Sequence, residues 1–402
     1  MKNLKRNVLA SAVALSSVVA VPTLAATTVA EALSGGKAYG DFNLRYEAVD
    51  QDNALDDASA LTLRSRIGYV TDSLNGFSAT VEFEDSRIVA GVDEFSVPPT
   101  GFQTGEYSFI ADPETTELDQ AFIQYKTDMV TAKLGRQVLT LDNHRFVGHV
   151  GWRQDRQTFD GLSLVATPVA GLTVTYAYLD ERNRIFAEAA DVDSKDHLLN
   201  LSYKTPVGTL TAYSYLLEMD VATDNALDTY GVRFAGSTEA DGTKFLYELE
   251  YATQSSEMGS SDFDADYLLL EGGVVISGIT AKLGYEVLGS DDGDYGFSTP
   301  LATLHKFNGW ADMFLATPGV GIEDMYVSVG TKVGPGMLTV VYHDFSADDA
   351  SASLDELGSE VDVSYGMKFG KHYNAGIKYA AYSADDFSVD TDKLWVWVGA
   401  SF

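Results

Sequence analysis

The 402-residue sequence contains no cysteine, so an exported form of the chain holds together without a disulfide framework. Proline is scarce at 9 residues while glycine reaches 36, and Tyr (22) and Phe (20) far outnumber Trp (4). That balance favours strands and turns over helices. Beyond the N-terminal region, no stretch supplies the roughly 18 consecutive apolar residues that a membrane-spanning helix requires. If the chain sits in a membrane, it does so as a barrel. Bases are few as well: 27 Lys and Arg against 59 Asp and Glu give a net charge of −32. Such a surface repels phosphate backbones, which sets nucleic acid aside as a partner. No G-x-S-x-G nucleophile elbow occurs, and the six histidines are scattered. His343-Asp344 and Asp142-Asn143-His144 put a base beside an acid, but neighbours on a strand point to opposite faces, which spoils a catalytic dyad. The expectation is not an enzyme; a protease- or lipase-type barrel and a structural or adhesive barrel are the alternatives.

The first residues, MKNLKR, are followed by the apolar, small-residue run VLASAVALSSVVAVPTLA and then by Ala26. That order of basic, apolar and small-residue regions predicts a secretory signal peptide over residues 1–25, cut after Ala25 or Ala26. Residues 26–36 are expected to form a short periplasmic segment, and 37–402 the folded body.

The acids gather in loop-like segments: 48–58, 111–119, 187–196, 289–294, 346–360 and 383–392. Solvated loops account for them. Calcium binding is the sharper reading, with no other cofactor expected. DFDAD (262–266) alternates its carboxylates but lacks the glycine and distal Glu of an EF-hand loop.

Between these segments the chain repeats about ten residues of period-2 alternation and then a break. In ALTLRSRIGYV, Leu61, Leu63, Ile67 and Tyr69 face one way while Thr62, Arg64 and Arg66 face the other. FSATVEFEDS, TKFLYELEYAT and EVDVSYGMKFG repeat the pattern. One face is lipid-like and the other wet. A sandwich would fill its second face with a dry core instead. Eighteen such segments begin near residues 37, 58, 77, 117, 130, 155, 172, 195, 208, 226, 244, 263, 279, 321, 337, 359, 372 and 391. Short turns such as TPVG and GPG alternate with long connections, notably 91–116, 139–154 and 289–320. The predicted fold is an all-β, antiparallel transmembrane barrel of about 18 strands, with short periplasmic turns, long acidic extracellular loops and both termini in the periplasm. Trp310 to Leu315 belong to the long loop, because a nineteenth strand would place the termini on opposite sides.

The last segment, KLWVWVGASF, carries an apolar stripe of Leu394, Val396, Val398, Ala400 and Phe402. It is expected to close the barrel against residues 39–49, since an open edge would leave backbone groups unsatisfied in hydrocarbon. An alternating strand ending on Phe402 also resembles the C-terminal signature that the barrel-assembly machinery recognises.

Eighteen strands enclose a water-filled lumen. Phasing from the lipid stripes puts Asn43, Arg45, Arg64, Arg66, Arg233, Lys282, Lys368 and Lys378 inside, opposite Asp41, Glu47, Glu82, Glu84, Glu248, Glu250, Glu286 and Asp362. Two readings stand level: an electropositive track that favours anions, and wall salt bridges that neutralise buried charge. The densest stretch, Ala132 to Leu164, packs Arg136, His144, Arg145, His149, Arg153 and Arg156 with Phe146 and Trp152. Its connection, 139–154, and the loop 289–320 are candidates to fold inward and constrict the pore. Guanidinium groups suit carboxylates and aromatic rings suit sugar faces. Arg136 and Asp160 fall on the lipid parity, which requires a bulge or a position above the rim.

GRQVLTLDNHRFVGHVGWRQDRQTFDGLSL in this stretch resembles the alginate-export type of outer-membrane porin, as do AEALSGGKAYGDFNLRYEAVD and HKFNGWADMFLATPGVGIEDMYVSVG. The resemblance implies an eighteen-stranded barrel in the outer membrane of a Gram-negative bacterium, an arginine-lined lumen and anionic or sugar-like solutes. Arg45, Arg136, Arg145, Arg153 and Arg156 are the matching lumen candidates. The implied function is passive diffusion of small hydrophilic solutes, with membrane lipid and lipopolysaccharide as surroundings and a monomeric or trimeric assembly. The chain has no insertion long enough for an extended gating loop or periplasmic plug, which separates it from dedicated polyuronate exporters.

Overall fold

A computed structural model describes residues 26–402 except 352; the expected signal peptide, 1–25, lies outside the described residues. Eighteen strands form one sheet: β1 (37–51), β2 (58–70), β3 (77–94), β4 (115–126), β5 (130–137), β6 (158–169), β7 (172–183), β8 (192–205) and β9 (208–217). The second half comprises β10 (225–240), β11 (243–258), β12 (261–276), β13 (279–288), β14 (322–333), β15 (336–351), β16 (354–369), β17 (373–383) and β18 (391–401). Each strand pairs antiparallel with its neighbour in sequence, and β18 closes on β1 in a register running from Asp41↔Ser401 to Gln51↔Thr391. The result is a closed antiparallel barrel of eighteen strands with no free edge. Phe402 continues the seam: its N–H donates to Gly40 O, and its ring stacks on Phe42 with centroids 6.1 Å apart.

The alternation read from the sequence sets the faces. Ile67, Phe83, Ile123, Leu134, Leu283 and Val398 are exposed on the outside, where hydrocarbon would cover them. Arg45, Glu47, Arg64, Glu84, Glu250 and Glu286 are buried inside. At one end every connection is short, and helix α1 (Val29–Ser34), N-capped by Thr28, packs there against the β2–β3 turn through the Asp72 N–H bond to Ala32 O. The other end carries the long connections, with two exceptions. The acidic segment 346–360, expected as a loop, falls in β15 and β16, which pair across it with register shifts between Phe345 and Ser351, and 259–260 is a tight turn between β11 and β12. Backbone pairing continues past the apolar band there because polar residues are as compatible with a solvated ladder as with a loop.

Four inward glycines sit directly across from an inward aromatic ring that covers them: Gly68 under Tyr39, Gly231 under Tyr213, Gly284 under Tyr326 and Gly376 under Trp397. Each ring fills the hole left by the missing side chain and pins the register. A Cβ at Gly376 would collide with the Trp397 ring. Gly376→Val is therefore expected to destabilise the barrel by about 1–3 kcal/mol through overpacking, seen as a lower urea midpoint in lipid vesicles. Gly135 and Gly161 face each other at the ends of β5 and β6, at φ 119° and 154°, where a Cβ would meet the carbonyls of Ala121 and Tyr178. They let these two strands bend just before the connection between them turns inward.

Candidate functional site

Three connections at the long-loop end fold into the lumen: 95–114, 138–157 and 289–321. The last two are knitted together backbone to backbone. Gly148 N–H donates to Leu301 O at 2.8 Å and Thr303 N–H to His144 O at 3.0 Å, while Lys306 Nζ reaches Asn143 O at 2.6 Å. Asp142, His144, Val150, Asn308 and Asp312 all take positive φ values, a strained conformation for Val150 above all.

The knitted loops are bolted to the wall by charge. Arg153 donates both to Glu47 on β1, at 2.9 and 3.0 Å, and to Asp312 of the second loop at 2.8 Å. Arg45 on β1 pairs with Asp112 of the 95–114 connection and also donates to Trp152 O. Arg156 bridges Glu82 and Asp119, Arg145 lies 2.8 Å from Glu286, and Asn308 bonds Glu286 and Asp324. On the far side Asn143 bonds Glu248, and Asp142 takes a bond from Asn200. The Ala311 N–H donates to Glu360 at 2.8 Å. Burial alone would raise the Asp112 carboxyl, but Arg45 and Arg153 hold it below the ordinary value. Asp312 is likewise held down, against burial, by His305, Lys393 and Arg153.

All four tryptophans of the chain converge where these loops meet β17 and β18. Trp152 stacks on His305 at 4.9 Å with the rings 7° apart, and meets Trp395 and Trp397 edge-on. Lys378 Nζ lies 4.1 Å from the Trp152 ring centre and 4.2 Å from that of Trp310. His305 completes a relay: its Nδ1 is 2.7 Å from Asp312 and its Nε2 is 3.0 Å from Lys378 Nζ. Nδ1–H of His305 donates to an ionised Asp312 and the Lys378 ammonium donates to Nε2, so the imidazole is neutral. Burial, with Lys378 and Arg153 nearby, pushes His305 down to about 3 despite Asp312.

Of the cations singled out from sequence, Arg45, Arg64, Arg66, Arg145, Arg153, Arg156, Arg233 and Lys282 face the lumen, and each has an acid partner. Arg64 pairs with Asp41, Arg66 with Glu84, Arg233 with Glu248 at 2.8 Å and Lys282 with Glu271 at 2.8 Å. These eight are neutralised wall pairs, whereas Lys378 has no acid within 4.0 Å among the described residues and lies against the Trp152 and Trp310 rings. Arg136 is a correction. It keeps the outward parity of Leu134 and pairs on the outer face with Asp160, at 2.7 Å, and with Glu181, at 3.5 Å. A bulge at Asp160/Gly161 lies beside it without turning it inward. The DFDAD acids are a second correction. Asp262, Asp264 and Asp266 are exposed on the outward face of β12, successive carboxylates of one extended strand, and do not converge on one point. His343 bonds Asp324 on the neighbouring strand at 2.9 Å instead of working with Asp344.

Asp112, His305, Asp312, Asn308 and Gln154 were not foreseen. They lie in loops without periodicity, and the available signal was polar residues of mixed sign in connections too long for their strands.

A family model described as alginate export matches residues 37–289. No curated protein sequence matches the chain. Among solved structures, OccAB4 of Acinetobacter baumannii superimposes with a TM-score of 0.71 at 15% identity, covering 91% of this chain and 98% of that one. OpdK of Pseudomonas aeruginosa, crystallised with vanillate, gives 0.70 at 13% identity over 92% and 99%. OccK11 (OpdR) of the same organism gives 0.69 at 15% over 92% and 96%. At these identities the likeness is one of fold.

Proposed function

Because the chain belongs to the alginate export family of outer-membrane barrels, we propose that it is a porin for passive diffusion of small hydrophilic solutes, sugar-like and uronate-like ones in particular. The supporting observation is the lumen itself. Loops bolted around the wall narrow it; the bolting pairs are buried, and the Arg156–Glu82, Arg233–Glu248 and Lys282–Glu271 pairs keep part-exposed side chains. A solute carboxylate can exchange with a wall acid for one fork of a guanidinium, and sugar hydroxyls can use the donors and acceptors of both partners. A lane of neutralised pairs favours such exchange over the transit of bare anions. The carboxylate-bearing vanillate of the OpdK crystal points the same way. In this reading the short-turn end and both termini are periplasmic, and Phe402 serves recognition by the barrel-assembly machinery.

Planar-bilayer recording of the refolded protein tests the proposal. Stepwise conductance with a small reversal potential in a salt gradient is expected, together with faster vesicle swelling in glucuronate than in an amino sugar of equal size. A silent membrane with a folded barrel would favour the adhesive or enzymatic alternatives. Strong cation preference would rule out uronates.

A further inference from the structure

The lumen compensates its buried acids with arginine nearly everywhere: Glu47 with Arg153, Asp112 with Arg45, Asp119 with Arg156, Glu286 with Arg145 and Asp196 with Arg182. Arginine is missing at two places: beside Glu360 and Asp362, where the Ala311 N–H reaches Glu360 and His343 lies 3.8 Å from Asp362, and beside Glu117 and Asp155. Glu84 on β3, Glu117 on β4 and Asp155 in the 138–157 loop each offer an oxygen, and these oxygens lie within 4.8 Å of one another. Glu84 and Asp155 are buried and Glu117 is half-buried. Glu84 and Glu117 are direct cross-strand partners, an arrangement in which like charges repel.

Their neutralisation is incomplete. Glu84 pairs with Arg66 and accepts the Arg156 N–H at 3.1 Å. Asp155 accepts the Ala187 N–H at 3.0 Å, and Glu117 takes a 3.4 Å bond from the Thr115 hydroxyl. Among the described residues no Lys, Arg or His lies within 4.0 Å of Glu117 or Asp155. Burial, with Glu117 and then Glu84 beside it, pushes the Asp155 carboxyl well above the usual range. Two carboxylates this close are relieved by a shared proton or by a cation between them.

A second observation concerns a different side chain. Ser86 is completely buried, and its Oγ has no hydrogen-bond partner. It sits on the same inward face as Glu84, two residues further along β3, between its cross-strand partners Arg64 on β2 and Thr115 on β4, the latter two residues from Glu117. A buried hydroxyl without a partner costs stability unless something satisfies it, and this one points into the lumen beside the carboxylates.

We propose that Glu84, Glu117, Asp155 and the Ser86 hydroxyl bind a hard divalent cation, Ca²⁺, which fastens the 138–157 loop to the β3–β4 wall. All donors are oxygens, which suits a hard ion. They come from two strands and a loop, and such an irregular set suits the flexible, longer-bonded coordination of Ca²⁺ better than the strict octahedron of Mg²⁺. The site is separate from whatever the channel carries, so it stands or falls independently of the porin reading.

The test uses the full-length protein refolded in detergent, stripped with EGTA and titrated calorimetrically at neutral pH with CaCl₂ and with MgCl₂. Asp155→Asn and Glu117→Gln are compared with Asp385→Asn, which removes an exposed acid elsewhere, and heat-modifiable gel mobility checks each fold. One saturable Ca²⁺ site is expected, with weaker Mg²⁺ binding. Both site variants should weaken Ca²⁺ binding by at least the roughly 10–100-fold that even outer-layer changes cost at metal sites, and Asp385→Asn should leave it unchanged. Should Asp155→Asn misfold, Glu117→Gln decides alone, because it leaves the loop sequence intact. No saturable binding, or equal binding by all four proteins, would overturn the proposal: a shared proton then holds the carboxylates, or the surface acids bind the ion. Tighter Mg²⁺ than Ca²⁺ binding would overturn the choice of ion.

Discussion

Arg153→Ala is expected to widen the channel and to destabilise the barrel by about 3–5 kcal/mol, the cost of removing one partner from a buried ion pair. The guanidinium holds three pieces together: β1 through Glu47, the 138–157 loop through its own backbone, and the 289–321 loop through Asp312. Its removal leaves two buried carboxylates short of a partner. Glu47 keeps Arg45 at 3.5 Å and Asp312 keeps Lys393 at 3.6 Å, so the loss should fall at the lower end of that range. Single-channel recording should show larger and noisier unitary currents, and the urea midpoint in vesicles should drop. Arg153→Lys preserves the charge but not the fork that reaches both acids, so it should fall between the two. Unchanged conductance in Arg153→Ala would mean that the inward loops are held without this bolt.

Acidification should loosen the same constriction. His305 is neutral in the folded protein, held down to about 3 from an ordinary 6.5. The unfolded or unlatched state therefore binds the extra proton, and the contribution to stability is full above about 6.5 and lost as the pH falls toward 3. The local cause is specific: a proton on Nε2 would point at the Lys378 ammonium that now donates to it. His149, pushed down to about 4 by burial and by Arg156 and His144, adds the same sign. In the calcium-free protein Asp155 acts in the opposite direction, since a raised carboxyl favours the fold at low pH and its contribution fades as the pH rises. Conductance and urea midpoint followed from pH 7.5 to 4 should show a rising current and a falling midpoint. His305→Gln should flatten much of both, and an unchanged slope in that variant would remove His305 from the account.

The barrel was legible because its physics is local. Leu61, Leu63 and Ile67 alternate with Thr62, Arg64 and Arg66 over a few residues, and each strand repeats the statement. Glu47, Arg233 and Glu248 follow from the same parity. The site was legible only in part, because its contacts join residues far apart: Arg45 to Trp152 across 107 positions and Arg153 to Asp312 across 159. No window of sequence contains both ends of such a pair. Arg136 shows the limit of resemblance. The motif around it placed it in the lumen, while its parity with Leu134 kept it outside, and the parity decided. The acidic run 346–360 shows the limit of composition, since charge tells of solvent but not of whether the backbone there is paired.

The seam between the first and last strands has a kinetic consequence. Gln51 and Thr391 bond across 340 residues, so the rungs that join them cannot zip until all the intervening hairpins are in place and the ribbon has curled round on itself. Hairpins between neighbours cost little chain entropy, whereas joining the two ends carries the whole ring-closure penalty at once. Until that moment the nascent ribbon offers two unsatisfied margins, each a template for the margin of another molecule. Ring closure, rather than any single hairpin, is therefore the step at which this topology is most exposed.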